Sequence, residues 1–215
     1  MKFEQYTIKQ LSEELASNSP APGGGTAAAL SAMFGAALVE MVVNLSINKT
    51  DLVEHQPALI DALSHLTALR QELSAQMDKD TAAFAAVMAA FKLPKATEVE
   101  KNERTIAIRL AFYEAAMTPL MTATQACAVL ELAAGLLGKI NENAASDLLT
   151  GAEMCYAGFR GAVANVAINL PSIKDEIKTE FLTFEVIRLK TFAGDFLRVI
   201  RASFHNQPMF ALIEE

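Results

Sequence analysis

The chain has 215 residues, 52% of them hydrophobic and 7% aromatic, no Trp, and a formal net charge of −7. That length suffices for one domain with a core that needs no disulfide or metal, and the mix, rich in Ala and poor in aromatics, suits packed helices rather than sheets. The acidic balance, without any Lys/Arg cluster interleaved with aromatics, argues against a nucleic-acid surface, and Met1 to Gln5 offer no apolar signal core.

In chain order, Thr7 with Gln10 reads as a capping box that starts a short helix lined by Ile8, Leu11 and Leu15 and stopped by Ser17-Asn18-Ser19-Pro20. Pro22-Gly23-Gly24-Gly25 then forms a tight turn before a long apolar helix from Thr26 to about Asn48. Its longest uncharged stretch, Ala27 to Val39, is broken by Glu40 and Asn44, which is too short for a bilayer and reads as a core helix. Pro57 suits the first turn of a third helix, in which positions 59, 63, 66, 70, 73, 77, 80, 84, 87 and 91 form an inward seam. Arg70 and Asp80 are its two polar members. Thr97 and Glu100 predict another capping box, with a helix to about Met117 and a kink or restart at Pro119 that continues to Leu137. Asn141-Glu142-Asn143 reads as a loop, Ser146 or Asp147 as the cap of a helix ending at Pro171, and Ser172 with Asp175 as the start of a last long helix bending at Gly194. The expectation is an all-α, single-domain bundle spanning 1–215, with about six to eight helices.

Several residues carry chemistry. Three glycines weaken a helix start by roughly 1 kcal/mol each, so they serve either an anion approaching free backbone N–H groups or a close helix–helix contact. A P-loop is excluded, because Gly25-Thr26-Ala27 lacks the Gly-Lys-Ser/Thr ending. Asp80 on an inward seam is either a catalytic acid with a raised pKa or half of a buried salt bridge, with Arg70 one partner. Phe84, one turn on, stacks on a flat ligand or fills the core. Glu40, Asn44 and Asn48 make a polar line that needs partners, and Asp147, Gly151, Met154, Gly158, Ala162, Asn165 and Asn169 trace a small-and-polar face. Helix packing accounts for the glycines of that face but not for its asparagines. Cys127 and Cys155 read as small buried residues of a reduced, cytoplasmic protein rather than nucleophiles, and His55, His65 and His205 are too scattered for a metal site or a triad.

Taken together, Ser19 to Ala29, Asn44-Leu45, Asp80 with Ala83-Phe84, Leu93-Pro94-Lys95, Arg104, Pro119-Leu120, Asn141 to Asp147 and Asn165 to Leu170 resemble the formimidoyltetrahydrofolate cyclodeaminase and methenyltetrahydrofolate cyclohydrolase family. Thr26 departs from a common Ser, and Asn48-Lys49-Thr50 replaces a frequent Gly-Lys-Lys. The resemblance implies a homodimer, a folate pocket between helices near the dimer interface, no metal and no tightly bound cofactor. The seam position of Asp80 together with this resemblance points to Asp80 as acid/base, with Asp147 as second carboxylate or orienting group, and Lys49 as a contact to an anionic folate group or a tuner of Asp80. Pro22, Gly23, Gly24, Gly25, Asn143, Ser146, Asn165 and Asn169 would then bind substrate.

Overall fold

A computed structural model describes residues 2–205. Six α-helices account for most of them: α1 (Ile8–Leu15), α2 (Gly24–Asn44), α3 (Gln56–Phe91), α4 (Glu98–Gly135), α5 (Ala145–Ile173) and α6 (Glu176–His205). Three short 3-10 turns, Phe3–Gln5, Thr50–His55 and Glu142–Ala144, complete the order, and no strand occurs among the described residues. Both capping boxes form, Thr7 with Gln10 and Thr97 with Glu100. The fold class is therefore all-α, as the periodicity predicts.

The core is built on α2. It packs against α3, α4 and α5, while α6 covers the outer side of α4 and α5. α2 and α5 run antiparallel at close range because small residues meet: a Cβ on Gly35 would lie 2.5 Å from Cys155 Sγ, and one on Gly158 would lie 2.6 Å from Ala28 O. The α5 glycines are thus packing devices. On the α3 seam Leu59, Leu66, Leu73, Met77 and Val87 are buried, whereas Phe91 at its end is 43% exposed.

Several boundaries differ from expectation. α2 begins at Gly24 and ends at Asn44, and its 21 residues are long and apolar enough to cross a membrane by length and composition, so the length objection fails. Half of its most apolar window is buried inside the chain, as in a core helix. α4 is one continuous helix across Pro119, with no restart. Proline has no N–H to donate to the carbonyl four residues back, that of Ala115, and Asn169 Nδ2 donates to this oxygen instead at 3.2 Å. α5 passes Pro171 and ends at Ile173. Neither Ser146 nor Asp147 caps it: the N-cap is Ala144, which makes no side-chain cap bond. At α6, Asp175 alone receives the Lys178 amide, at 3.1 Å, with Ser172 still inside α5, and Gly194 sits within a continuous helix.

Candidate active site

The start of α2 is shaped by what its glycines leave out. Gly23 is the N-cap, in extended conformation, and Gly24 and Gly25 are the first helical residues. A Cβ on Gly25 would lie 2.0 Å from Asp80 Oδ1, and one on Gly24 would lie 3.1 Å from Asn165 Nδ2. At Gly23 the nearest atom to such a Cβ is Pro20 O at an ordinary 3.6 Å. Space therefore demands glycine at 25, presses for it at 24 and leaves 23 free. Pro22 is buried and follows a cis peptide bond, and it does not line the adjoining cavity.

Asp80 reaches this helix start from α3. Thr26 Oγ1 donates to Asp80 Oδ2 at 3.0 Å, and the Thr26 amide also favours the charged carboxylate. The anion seated at the N-terminus of α2 is thus the protein's own side chain, so the glycines admit Asp80 rather than simply a ligand. Burial pushes the carboxyl above its ordinary value of 3.8, and the two Thr26 groups only partly oppose it. Arg70, the alternative partner in the seam, is engaged elsewhere: its Nε donates to Glu40 Oε2 at 2.5 Å, and Thr67 Oγ1 donates to Glu40 Oε1 at 2.9 Å. That pairing holds Glu40 below its usual range.

Asp80 faces a cavity of about 360 Å³ whose other walls include the glycine turn, Phe84, Met88, Phe112 and Asn165. Asn169 also lines it. Both asparagines are tied to backbone: Asn165 Nδ2 donates to Gly161 O at 2.9 Å, and Asn169 Nδ2 donates to Asn165 O at 2.8 Å as well as to Ala115 O. What Asn169 retains for a ligand is its carbonyl oxygen. The cavity is mainly apolar, with one carboxylate and a few fixed amides, a combination suited to a flat heterocycle with a charge-bearing reaction centre. Thr26, Met88, Phe112 and Ala115 were not legible as site residues; Thr26 had a signal, the hydroxyl one position after the glycines.

The remaining expected residues lie at the opposite end of α2. Asn141 links the loop before α5 to that end, through its amide to Ser46 Oγ at 2.8 Å and its side chain to Leu45 O at 3.5 Å. Lys49 precedes the Thr50–His55 turn, Asn143 and Ser146 are exposed, and Asp147 is half-buried in the first turn of α5. From Asp147 to Asn165 the helix rises by about 27 Å at 1.5 Å per residue. Within one chain Lys49, Asn143, Ser146 and Asp147 therefore do not share the Asp80 cavity.

Neither cysteine is poised as a nucleophile: burial pushes Cys127 up to about 11 and Cys155 higher still. Among the described residues no cluster of three or more His, Cys, Asp or Glu could hold a metal ion. His65 pairs with Asp61 one turn away on the surface, and the side chain of His205 lies outside the described residues.

Comparisons with known proteins agree with this frame. A methenyltetrahydrofolate cyclohydrolase of Methylorubrum extorquens is 39% identical over 188 residues, 87% of this chain and 90% of that protein. The formimidoyltransferase-cyclodeaminase of Gallus gallus is 37% identical over 75% of this chain, which spans 30% of that longer protein. The crystal structure of formiminotetrahydrofolate cyclodeaminase from Thermotoga maritima superposes with a TM-score of 0.85 at 26% identity, covering 93% of this chain and 96% of that one. The family profile described as formiminotransferase-cyclodeaminase matches residues 7–186, and the chain belongs to that family.

Proposed function

We propose that the protein is a folate one-carbon enzyme in which Asp80 moves the protons. The observation that carries this reading is a carboxyl in an apolar cavity, raised in pKa by burial, whose hydrogen-bond partner is Thr26 and which has no cation beside it among the described residues. In the cyclohydrolase reaction water attacks the cationic methenyl carbon and Asp80 accepts its first proton; Asp80 returns that proton to the ring nitrogen as the C–N bond breaks, while the hydroxyl of the carbinolamine loses its own proton to solvent, giving the formyl compound and one net proton. In the cyclodeaminase reaction one folate nitrogen attacks the carbon of the protonated formimidoyl group; Asp80 takes that nitrogen's proton and delivers it to the exocyclic amine, which leaves as ammonia while the positive charge stays on the methenyl unit. Both pass through a one-carbon unit with delocalised positive charge, which a carboxylate in a dry pocket stabilises.

The relative that matches over 90% of its own length favours the cyclohydrolase, and the likeness to a solved cyclodeaminase favours the deaminase. Spectrophotometry of methenyltetrahydrofolate separates them: its disappearance in buffer identifies the first, its formation from the formimidoyl compound the second. A folded protein that does neither contradicts the proposal.

We also propose a homodimer in a reducing, cytoplasmic compartment. α2 leaves Phe34, Met41 and Leu45 partly exposed, apolar surface that a second copy would cover. A copy packed with its α2–α5 pair antiparallel to the first would bring its Lys49 and Asp147 toward the Asp80 cavity. That arrangement explains why a single family pattern occupies both ends of α2.

A further inference from the structure

Next to the Asp80 cavity, and sharing its Phe91 and Phe112 walls, is a second cavity of about 450 Å³ between α4 and the α5–α6 junction. Its charged lining consists of Arg109 and Lys174, joined by the hydroxyls of Thr105 and Ser172, with no carboxylate. The nearest acid in sequence, Asp175, is paired with Lys178 at 3.6 Å. The shared wall is fixed: Arg104 donates to Phe91 O from Nε and Nη2 at 3.3 and 3.1 Å, its guanidinium lies 5.6 Å from the Phe91 ring centre, and Phe91 meets Phe112 edge-on at 6.1 Å. Lys174 is held in left-handed conformation at the C-cap of α5, between the two helices.

We infer that this second cavity is the subsite for the anionic tail of the substrate, with Arg109 and Lys174 binding the glutamate carboxylates and the Phe91–Phe112 wall carrying the p-aminobenzoyl ring. The inference rests on the folate reading of the Asp80 cavity and assigns the other half of the same molecule. A folate is apolar and flat at its centre and dianionic at its tail, and the two adjoining cavities follow that order: carboxylate and amides, aromatic wall, then two cations. Arg109 offers a fork that matches a carboxylate in two places, and Lys174 a point charge for the second. Lys49, the residue the sequence offers for an anionic folate group, lies at the far end of α2 and leaves this role open within the chain.

The test is steady-state kinetics of Arg109→Gln/Lys174→Gln with two substrates, one carrying the glutamate and one truncated at the p-aminobenzoyl group. Each lost charge-assisted hydrogen bond should raise KM about tenfold for the full substrate, with kcat unchanged within about twofold. KM for the truncated substrate should not move, and added salt should weaken binding of the full substrate in the wild type but not in the variant. An unchanged KM, or an equal rise for both substrates, overturns the inference. Asp80→Asn run alongside keeps the two proposals apart: if it is inactive while the double variant binds normally, only the tail subsite falls, and if it turns over normally the folate chemistry at Asp80 falls first.

Discussion

The two ends of the α2–α5 pair present the same kinds of residue, carboxylate, asparagine and small side chains, yet the cavity that holds Asp80 lies at the glycine end and is lined by none of Lys49, Asn143, Ser146 and Asp147. At the glycine end three helices converge on Asp80, the carboxyl is half-buried against Thr26, and each neighbouring asparagine is fixed by backbone carbonyls. At the far end Lys49, Asn143, Ser146 and Asp147 surround a loop and two helix termini, and Asn143 and Ser146 are exposed. A motif thus becomes a site where backbone approaches closely enough to bring its side chains to one cavity. Polar residues on exposed turns need another surface to complete them.

Gly25→Ala should have the largest effect. A Cβ 2.0 Å from Asp80 Oδ1 must displace the carboxyl, so turnover should fall by about two orders of magnitude or more, whereas Gly23→Ala should stay within a few-fold of wild type. Equal effects of the two would show that the glycines act only on the backbone. At the far end, Lys49→Gln should lower activity alone, and subunits of it refolded with Asp80→Asn subunits should recover up to about a quarter of wild-type activity, because half the mixed population is hybrid with one intact site. No recovery would remove Lys49 from the Asp80 site.

Smaller effects are expected on stability. Asn169→Ala leaves the Ala115 carbonyl unpaired beside Pro119 and should cost about 1–3 kcal/mol in denaturant melts, and Pro119→Ala, which restores the missing N–H, should reduce that cost in a double-mutant cycle. Glu40→Gln should cost about 1 kcal/mol near neutral pH. Glu40 is held below its ordinary 4.5 in the folded chain, so its contribution is full above that value and is lost as pH falls through the depressed one. Chemical melts at pH 7 and pH 3 check the sign.

Most of the fold was legible because helices advertise themselves: two capping boxes, the α3 seam and the terminal breakers recur where the sequence puts them. Pro119 does not restart α4, because the Ala115 carbonyl that it leaves without a donor is met by Asn169, fifty residues downstream, a partner that no local pattern reveals. The inward carboxylate and the glycine turn were each visible as anomalies, but that one exists to admit the other is a distance between α2 and α3 that no local pattern encodes. Likewise Asp147 and Asp80 share a family pattern without sharing a cavity, because spacing along the chain is silent about which end of an antiparallel pair a residue reaches.

On this reading Asp80 carries the proton. The decisive measurement is kcat for Asp80→Asn on methenyltetrahydrofolate and formimidoyltetrahydrofolate, with helicity and assembly checked on the same sample. The variant should be folded and slowed by about two to four orders of magnitude, against a wild-type rate whose acid limb lies above the ordinary carboxyl value of 3.8. A folded Asp80→Asn protein with near-normal turnover would contradict that reading.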